Sequence, residues 1–385
     1  MRVVLVGSYP VDPERVQGGV EASVSTLVSA LAELPGLDLR VITFVPGLDR
    51  AEEREVGGVP IDYLPTIRRL RSVTMHVRER RALARRIEAL RPDLVHAQDA
   101  VRHGFICLKA IGDRVPLVLS IHGIARAELP FVTSRVTRLR MAIADIAVER
   151  YCIGHARYLV QPTRYPEQYF GDEIRGRIWD VGNPIADAFF GVDRAPDGGR
   201  MLYLGAFIAR KRLLDLVDAL PLVLEVVPTA SLRVVGFAAN PEYAESVRAR
   251  VAELGLGERV TFLQGLTSDE VLDEYRRASV LVLPSGEETS PMVIGEAMAA
   301  GVPVVATRVG GVSYLVDDDV TGSIVEAGDV ATLADRIAAI LGDASKRDAF
   351  GAAGRAKAES RFRAEAVAGR VRDVYEKVLA ATRSR

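Results

Sequence analysis

Short apolar runs that end in glycine or a polar residue recur along this chain and alternate with segments of helical periodicity. Val3–Val6 ends at Gly7, and the pattern restarts in the second half with Met201–Leu204, which ends at Gly205. Strands that alternate with helices favour parallel sheets of the α/β class. The sequence therefore predicts two α/β units in succession.

A stretch with several prolines and glycines, from Asn183 to Arg200, separates the two halves. Such a composition is typical of a boundary between domains. We predict a first domain over residues 1–183 and a second over residues 184–363. The length of 385 residues, 49% of them hydrophobic, suits two globular units with proper cores.

The segment with the most information about function is PSGEETSPMVIGEAMAAGVPVVATRVGG, residues 284–311. Pro291 fits the first turn of a helix and Ser290 is a suitable N-cap, which places Glu296 inside the helix and Glu288 in the loop before it. Free backbone amides at a helix N-terminus attract anions. A carboxylate in such a loop can bind sugar hydroxyls, and one deeper in the helix can bind a ribose diol. The alternative is a solvated acidic loop, because a single glutamate most often lies on the solvated surface.

Other polar residues follow apolar runs, where the carboxyl ends of parallel strands bind ligands. His96 and His122 each stand at the end of such a run in the first half. Gly18-Gly19 precedes a helical segment and allows a ligand to approach the backbone closely. In the second half a cationic cluster follows Gly205: Arg210, Lys211 and Arg212. Cations between a strand end and a helix start suit a diphosphate.

Glu288 and Glu296, followed by AMA-x-G-x-PVVAT-x-x-GG, resemble the nucleotide-sugar site of family-4 retaining glycosyltransferases. That resemblance implies the GT-B fold, in which two Rossmann-like domains face each other across a cleft. It also implies that Glu288 contacts the donor sugar and Glu296 the ribose. In this fold the final helix, here about residues 364–385, packs back on the first domain, which binds the acceptor.

The resemblance extends to other motifs, with departures. Lys211 is in register with the lysine of the family's G-R-x-x-x-x-K, which clamps the diphosphate, but Ala206 stands where the family has arginine. Arg210 or Arg212 could replace that arginine. Pro291 stands where the family often has glycine, so Met292 and Val293 would have to supply the amides.

His122 resembles the histidine of the family's S/T-x-H-G, near the donor diphosphate. The resemblance thus implies three groups of site residues. The catalytic group is Lys211, Glu288, His122 and Arg210. The donor-binding group is Gly18, Gly19, Gly205, Phe237, Leu266, Ser290, Pro291, Met292, Val293 and Glu296. The acceptor side is Arg126, Glu128 and His96.

No cofactor or metal is expected. The acidic run Asp317-Asp318-Asp319 suggests a metal-binding D-x-D, but it precedes Thr321-Gly322 as a turn, and the family's fold is metal-independent. The two cysteines do not suggest a disulfide framework, and the net charge of −1 does not favour nucleic acid. The start MRVVLVG shows no secretory signal. We expect a cytoplasmic location, with possible peripheral contact at the inner face of the membrane.

Residues 68–91 hold nine arginines against two glutamates, in a helix with an apolar face. Such a face is usually only solvated. It is also a candidate surface for anionic lipid headgroups, although it lacks aromatic anchors.

The sequence therefore predicts a retaining hexosyltransferase of polysaccharide biosynthesis. It would use a UDP- or GDP-sugar and a glycan, glycolipid or lipid-linked acceptor. Two alternatives remain at this point: a sugar-nucleotide epimerase of GT-B fold, and a non-catalytic sugar-nucleotide-binding homologue, to which Ala206 and Pro291 give weight. A dinucleotide-dependent dehydrogenase would need a G-x-G-x-x-G after the first strand, which is absent.

Overall fold

The computed structural model describes residues 1–12, 18–66 and 76–383. The chain divides into two compact units. The first comprises Met1–Pro130, Ser134–Pro184 and Ala364–Arg385, and the second comprises Phe131–Thr133 and Ile185–Arg363. The division after Pro184 lies one residue from the boundary predicted from the sequence, and the C-terminal helical segment belongs to the first unit.

The first unit is built on an eight-stranded sheet in the order β3-β4-β2-β1-β5-β6-β7-β8. All pairs are parallel except β3 with β4. Its strands are β1 (Arg2–Val6), β2 (Asp38–Pro46), β3 (Glu52–Val56), β4 (Val59–Thr66), β5 (Leu94–Ala97), β6 (Leu117–Ser120), β7 (Tyr158–Gln161) and β8 (Arg177–Asp180). Its helices up to the boundary are α1 (Gly19–Ala32), α2 (Val77–Leu90), α3 (Arg102–Ile111), α4 (Ala125–Glu128), α5 (Arg135–Arg140), α6 (Ile146–His155) and α7 (Tyr165–Phe170).

The second unit has a six-stranded parallel sheet in the order β11-β10-β9-β12-β13-β14. Its strands are β9 (Arg200–Leu204), β10 (Ser231–Val235), β11 (Val260–Leu263), β12 (Val280–Leu283), β13 (Val304–Thr307) and β14 (Gly322–Val325). Its helices are α8 (Asp187–Phe190), α9 (Leu213–Val226), α10 (Pro241–Glu253), α11 (Ser268–Arg277), α12 (Met292–Ala299), α13 (Val312–Leu315), α14 (Val330–Leu341) and α15 (Ala344–Phe362). The last helix, α16 (Ala364–Arg383), returns to the first unit.

Both faces of the first sheet are buried. Along β1, Val3 and Leu5 pack with residues of α1 and α16, whereas Val4 and Val6 pack with residues of α2 and α3. Successive side chains of a strand point to opposite faces, so a continuous apolar run such as β1 requires helices on both sides. The structure confirms two α/β units with Rossmann-like parallel sheets.

One strand of the first unit was not predicted. β3 has the sequence EEREV and is largely exposed, so it lacks the apolar run that identifies the other strands. It forms because the Gly57-Gly58 turn, in which both glycines have positive φ, folds it antiparallel against β4. The pairing depends on this turn and not on hydrophobic burial.

The Arg-rich helix expected within residues 68–91 is α2, which begins at Val77; residues 67–75 lie outside the described part of the chain. The helix expected over 134–154 is present as α5 and α6, joined by a π-helical turn, Met141–Asp145. Within the ranges that the structure describes, no helix is both long and apolar enough to cross a membrane.

Candidate active site

The candidate site of the second unit lies at the carboxyl ends of two adjacent strands, β9 and β12. After β9 the chain passes through Gly205 and a 3-10 turn, Ala209–Lys211, before α9 begins. After β12 a loop leads to α12. Because β9 and β12 are neighbours in the sheet, these two loops meet.

Lys211 and Glu288 form a short ion pair where the loops meet. The Nζ atom of Lys211 lies 2.6 Å from Oε1 of Glu288, and both side chains are largely buried. The hydroxyl of Ser285 donates to the same carboxylate oxygen at 2.6 Å, and the Arg210 guanidinium lies 3.5 Å from Oε2. Two cations therefore lie against the carboxylate of Glu288.

The electrostatic balance keeps Glu288 ionised. Burial alone would raise the pKa of its carboxyl group, but Lys211 and Arg210, together with the bonds from Lys211 and Ser285, bring the pKa below its ordinary value. The carboxylate is thus an acceptor, and the hydroxyls of a bound sugar could donate to it.

Hydrogen bonds to backbone carbonyls fix these two loops and the segment after β13 against one another. The Gly286 amide donates to the Arg210 carbonyl at 2.7 Å, and the Arg210 guanidinium donates to the Glu287 carbonyl at 2.8 Å. The Gly311 amide donates to the Glu288 carbonyl at 2.7 Å. The position of Glu288 is therefore set by its own backbone as well as by its side-chain partners.

Helix α12 begins one residue later than predicted. Pro291, and not Ser290, occupies the N-cap position, with extended backbone (ψ 121°). The Pro291 carbonyl accepts from the Ile294 amide at 3.2 Å, which closes the first turn, so the helical hydrogen bonds start at Pro291. The amides of Met292 and Val293 lie in the first turn, where a helix offers them no acceptor.

Glu296 lies inside α12 and is buried, as predicted from its position after Pro291. Its Oε2 accepts a 2.7 Å hydrogen bond from the hydroxyl of Tyr275 in α11. Burial raises the pKa of Glu296 to about 7, although the Tyr275 bond opposes that shift. The carboxyl group is thus poised between its two protonation states near neutral pH.

This pKa predicts a dependence of stability on pH. The unfolded chain ionises Glu296 at about its ordinary pKa, whereas the folded protein keeps the proton up to about pH 7. The folded state therefore binds more protons between these values, and stability falls as pH rises from about 4.5 to about 7 and is then constant. Glu296→Gln removes this pH dependence. The free energy of unfolding of the variant, relative to that of wild type, should therefore rise by up to about 3 kcal/mol between pH 5 and pH 8. Urea unfolding of both proteins at the two pH values measures it, and a pH-independent difference would contradict the shifted pKa.

The remaining donor-side residues predicted in the second unit follow the ends of β9, β10 and β11. The Gly205 amide donates to the Val235 carbonyl at 2.9 Å, and a Cβ on Gly236 would lie 1.9 Å from the Gly205 carbonyl oxygen. Phe237 follows β10 with about half of its side chain exposed, and Leu266 follows β11, partly buried.

His96, predicted on the acceptor side, is an interior residue of the first unit. Its ring nitrogens lie 2.7 Å from the Tyr375 hydroxyl and 2.8 Å from the Ser120 hydroxyl, and burial lowers its pKa to about 3. The assignment to the acceptor side was wrong, because the side chain is enclosed and both nitrogens are bonded within the unit. His96 lies near the end of β5, as its place in the sequence indicated, but Tyr375 of α16 bonds its ring inside the unit.

His122, Arg126 and Glu128 are partly exposed. The Nε2 atom of His122 donates to Oε1 of Gln98 at 2.9 Å, and burial lowers the pKa of its imidazole to about 4, so the ring is neutral at pH 7. Arg126 pairs with Glu149 at 3.1 Å and with Glu173 at 2.7 Å, so its guanidinium serves the structure of the first unit.

Glu128 closes α4, and its carboxylate lies near Gly123. Gly18 precedes α1 and has φ 87°, and Gly19 is the first residue of that helix. The loop residues 13–17 before them lie outside the described part of the chain.

Sequence reasoning missed two residues that hold the glutamates. Ser285 bonds Glu288 from three residues away in the same loop, and no periodicity identifies such a contact. Tyr275 reaches Glu296 from another helix, so only the fold brings them together.

Each residue of the acidic run Asp317-Asp318-Asp319 pairs with a cation: Asp317 with Lys357, Asp318 with Arg308, and Asp319 with Arg336.

The comparisons with known proteins cover nearly the whole chain. Residues 17–185 match a family model described as Glycosyltransferase Family 4, and residues 187–357 match one described as Glycosyl transferases group 1. An uncharacterized glycosyltransferase of Methanocaldococcus jannaschii is 24% identical over 94% of this chain and 95% of its own length. The N-acetyl-alpha-D-glucosaminyl L-malate synthase of Bacillus anthracis is 27% identical over 74% of this chain and 75% of its own.

Solved structures share the fold. Sucrose-phosphate synthase from Thermosynechococcus elongatus superposes with a TM-score of 0.81 at 24% identity, over 99% of this chain and all of that one. HepE of Anabaena, solved in complex with UDP-glucose, gives a TM-score of 0.74 at 19% identity, over 97% of this chain and 99% of that one. The chain belongs to the family-4 glycosyltransferases, and its two α/β units form the GT-B fold.

Proposed function

We propose that this glycosyltransferase moves a hexose-type sugar from a nucleoside-diphosphate donor, UDP or GDP, to a glycan, glycolipid or lipid-linked acceptor, with retention of the anomeric configuration. The observation that carries the proposal is the contact of Lys211 and Arg210 with Glu288, next to the start of α12. Solved structures of the same fold in complex with UDP and UDP-glucose support a nucleotide-sugar donor.

In this proposal Lys211 and Arg210 neutralise the charge that develops on the leaving diphosphate. Preformed cations in a largely buried site stabilise such charge more strongly than water does. The amides of Met292 and Val293 are available for the same oxygens. Ala206 stands where the family has an arginine, and Arg210 takes the role of that arginine, because its guanidinium already lies 3.5 Å from Glu288. With these groups present, we propose that transfer needs no metal ion.

Glu288 holds the hydroxyls of the donor sugar, with Ser285 fixing one of its carboxylate oxygens. Glu296 accepts from the ribose, and Tyr275 fixes its orientation. The bond between the anomeric carbon and the diphosphate breaks as the acceptor oxygen bonds to that carbon, and the acceptor proton passes to the leaving diphosphate. The roles of His122, Gly18 and Gly19 in the donor site remain predictions from the family resemblance.

We also propose that α2 presents a basic face to anionic lipid, which would place the enzyme near a lipid-linked acceptor. Arg78, Arg81 and Arg85 are exposed on this helix, whereas Arg86 pairs with Asp62 at 2.7 Å and with Glu53. Residues 68–75 of the predicted basic stretch lie outside the described part of the chain.

Incubation with a panel of UDP-, GDP- and ADP-sugars, without acceptor, tests the donor. We expect slow release of nucleoside diphosphate from one donor, which would identify both base and sugar. A released sugar of unchanged anomeric configuration would support retention. An epimerase would instead release the epimer of the sugar, either still attached to the nucleotide or as the free 2-epimer. Absence of release, together with no calorimetric binding of UDP, GDP or ADP, would contradict the proposed donor class.

A further inference from the structure

A chain of polar side chains runs from the interior of the first unit to His122. His96 lies in β5 and Gln98 follows that strand, and each is only 1% exposed. Ser120 ends the neighbouring strand β6, and His122 follows two residues later. Residues two apart on a strand project to the same face, so the four side chains share one face of the sheet at its ligand-binding edge.

His96 is held on both sides of its ring. Its Nδ1 atom lies 2.7 Å from the Tyr375 hydroxyl, and its Nε2 atom lies 2.8 Å from the Ser120 hydroxyl. The ring is neutral, because burial lowers its pKa to about 3, and one of its nitrogens therefore carries a lone pair. The amide nitrogen of Gln98 lies 3.2 Å from both ring nitrogens and can donate to that lone pair. Gln98 thus turns its amide nitrogen towards His96 and its oxygen away from it.

The oxygen of Gln98 faces His122. Its Oε1 atom lies 2.9 Å from Nε2 of the His122 ring. An amide oxygen only accepts, so Nε2 must carry the proton, and in a neutral imidazole Nδ1 then carries the lone pair. The Gln98 side chain is also closely packed, because a Cβ on Gly7, after the neighbouring strand β1, would lie 2.7 Å from Cβ of Gln98. The network therefore selects one of the two tautomers of His122.

The other nitrogen of this ring is available to a ligand. Nδ1 of His122 makes no hydrogen bond to any residue that the structure describes, and the side chain is partly exposed. A nitrogen with a lone pair accepts from a hydroxyl group, whereas the oxygens of an ionised diphosphate have no proton to donate to it. The favoured ligand of this nitrogen is therefore a hydroxyl.

The charges around the ring keep it neutral. Three titratable groups lie near His122: His96, Asp99 and Glu128, whose carboxylate lies close to the next residue of the loop. Asp99 favours the protonated ring, but it is already engaged by the His103 ring and by two backbone amides. Burial is the larger effect and lowers the pKa of His122 to about 4.

We propose that Gln98 is a positioning residue for sugar transfer: supported by His96, it holds His122 in the tautomer protonated on Nε2, so that Nδ1 accepts a hydrogen bond from a hydroxyl group of the substrate. This inference rests on the proposed function, in which His122 belongs to the donor site. It assigns His122 the part of a neutral acceptor and not that of a cation on the diphosphate.

Nuclear magnetic resonance of the full-length protein with isotope-labelled histidine measures the state of the ring without substrate. The chain has five histidines, and His122→Gln identifies the signals of residue 122. We expect a protonated Nε2 and an unprotonated Nδ1 between pH 6 and pH 8. Gln98→Glu places a carboxylate beside the ring and should raise the pKa of His122 from about 4 to about 6. Gln98→Met removes the acceptor, and the ring should then populate both tautomers.

Kinetics with the donor found in the hydrolysis panel tests the function of the network. Gln98→Met should lower kcat/KM by about tenfold at every pH, for the loss of one buried hydrogen bond. In Gln98→Glu, kcat/KM relative to wild type should fall about fourfold from pH 8 to pH 5.5, because a protonated His122 cannot accept at Nδ1. The ratio to wild type removes the contribution of groups that titrate in both proteins, such as Glu296.

Gln161→Met is the matched control. Gln161 is a buried glutamine at the end of β7 in the same unit, but its hydrogen-bond partners are Asp180 and the Glu167 amide. This variant should lose stability in urea unfolding as Gln98→Met does, and it should leave the signals of His122 and kcat/KM unchanged.

The two measurements separate failure of this inference from failure of the proposed function. A protonated Nδ1 in wild type overturns the inference, and so does a His122 ring whose pKa and tautomer are the same in the Gln98 variants. A kcat/KM ratio for Gln98→Glu that is constant, or that rises as pH falls, overturns the acceptor role. If wild type hydrolyses no donor but shows the expected His122 signals, the proposed function is contradicted while the tautomer assignment is supported.

Discussion

Lys211→Ala should lower kcat for sugar transfer by roughly 10²–10³-fold, the usual cost of removing one preorganised group that stabilises charge in a transition state. Lys211 is the cation nearest to Glu288, at 2.6 Å, and it lies between a strand end and a helix start where a diphosphate would bind. Arg210 remains in the variant, so part of the positive charge is kept. Steady-state kinetics with the donor found in the hydrolysis panel measures the loss.

A second consequence separates the catalytic role from a structural one. Burial raises the pKa of Glu288 and Lys211 opposes that shift, so removing Lys211 should raise the pKa of the carboxyl group. The residual activity of Lys211→Ala should therefore depend on pH in a range where wild type does not, and Lys211→Arg should restore the wild-type profile in part.

The matched control is Lys357→Ala. Lys357 is a lysine of the same unit, equally buried, and paired with Asp317 at 2.8 Å, but it lies outside the proposed site. The Lys357→Ala variant should lose at most about 1 kcal/mol of stability and keep the kcat of wild type. Wild-type turnover in Lys211→Ala, or an equal loss in both lysine variants, would show that Lys211 does not act on the diphosphate.

The sequence alone was sufficient to predict the features that follow from local sequence patterns. Continuous apolar runs such as Val3–Val6 and Met201–Leu204 identify buried parallel strands because both faces of each sheet are covered. Glycine after the run, a cationic turn and a helix start then place Lys211 at a strand end, since that geometry is fixed by the α/β architecture. The family resemblance rests on the motifs around Lys211, Glu288 and Glu296, and the comparisons confirm it.

Features that depend on distant parts of the chain could not be predicted. The family resemblance predicted that the last helix returns to the first unit, but nothing in the sequence pairs Tyr375 of that helix with His96, whose ring nitrogen lies 2.7 Å from the Tyr375 hydroxyl. The exposure of Leu139 in α5 is equally hidden, because an apolar row on a helix predicts burial unless the packing of its neighbours is known. β3 was missed because a hairpin turn, and not its own composition, places it in the sheet.

The helix start at Pro291 shows a smaller failure of the same kind. Proline is compatible with both the N-cap and the first helical position, and Ser290 is a good cap by residue type. The backbone of the loop before α12 determines which residue is the N-cap. That loop is held to neighbouring segments by hydrogen bonds such as the one from the Gly286 amide to the Arg210 carbonyl. Tertiary hydrogen bonds therefore decided a boundary that local preference left open.

Gly310→Ala should lower kcat by about 10²-fold, although residue 310 carries no functional group. A Cβ at this position would lie 2.0 Å from the Glu288 carbonyl oxygen, and the backbone has φ 49°. The loop that carries Glu288 must shift by about an ångström to relieve the clash, and a displacement of that size at a catalytic group costs roughly 10²-fold. The left-handed backbone adds about 1–2 kcal/mol of destabilisation.

Gly255→Ala isolates the effect of the backbone from that of the clash. Gly255 has a similar positive φ of 67°, but an added Cβ would meet no atom within 4 Å. This variant should lose about 1–2 kcal/mol in urea unfolding and keep wild-type kcat, whereas Gly310→Ala should lose more stability and most of its turnover. The decisive comparison is kcat under conditions where both variants remain folded. If Gly310→Ala turns over donor as fast as Gly255→Ala, the position of the Glu288 loop does not limit the reaction, and the proposed contact between Glu288 and the donor sugar would have to be abandoned.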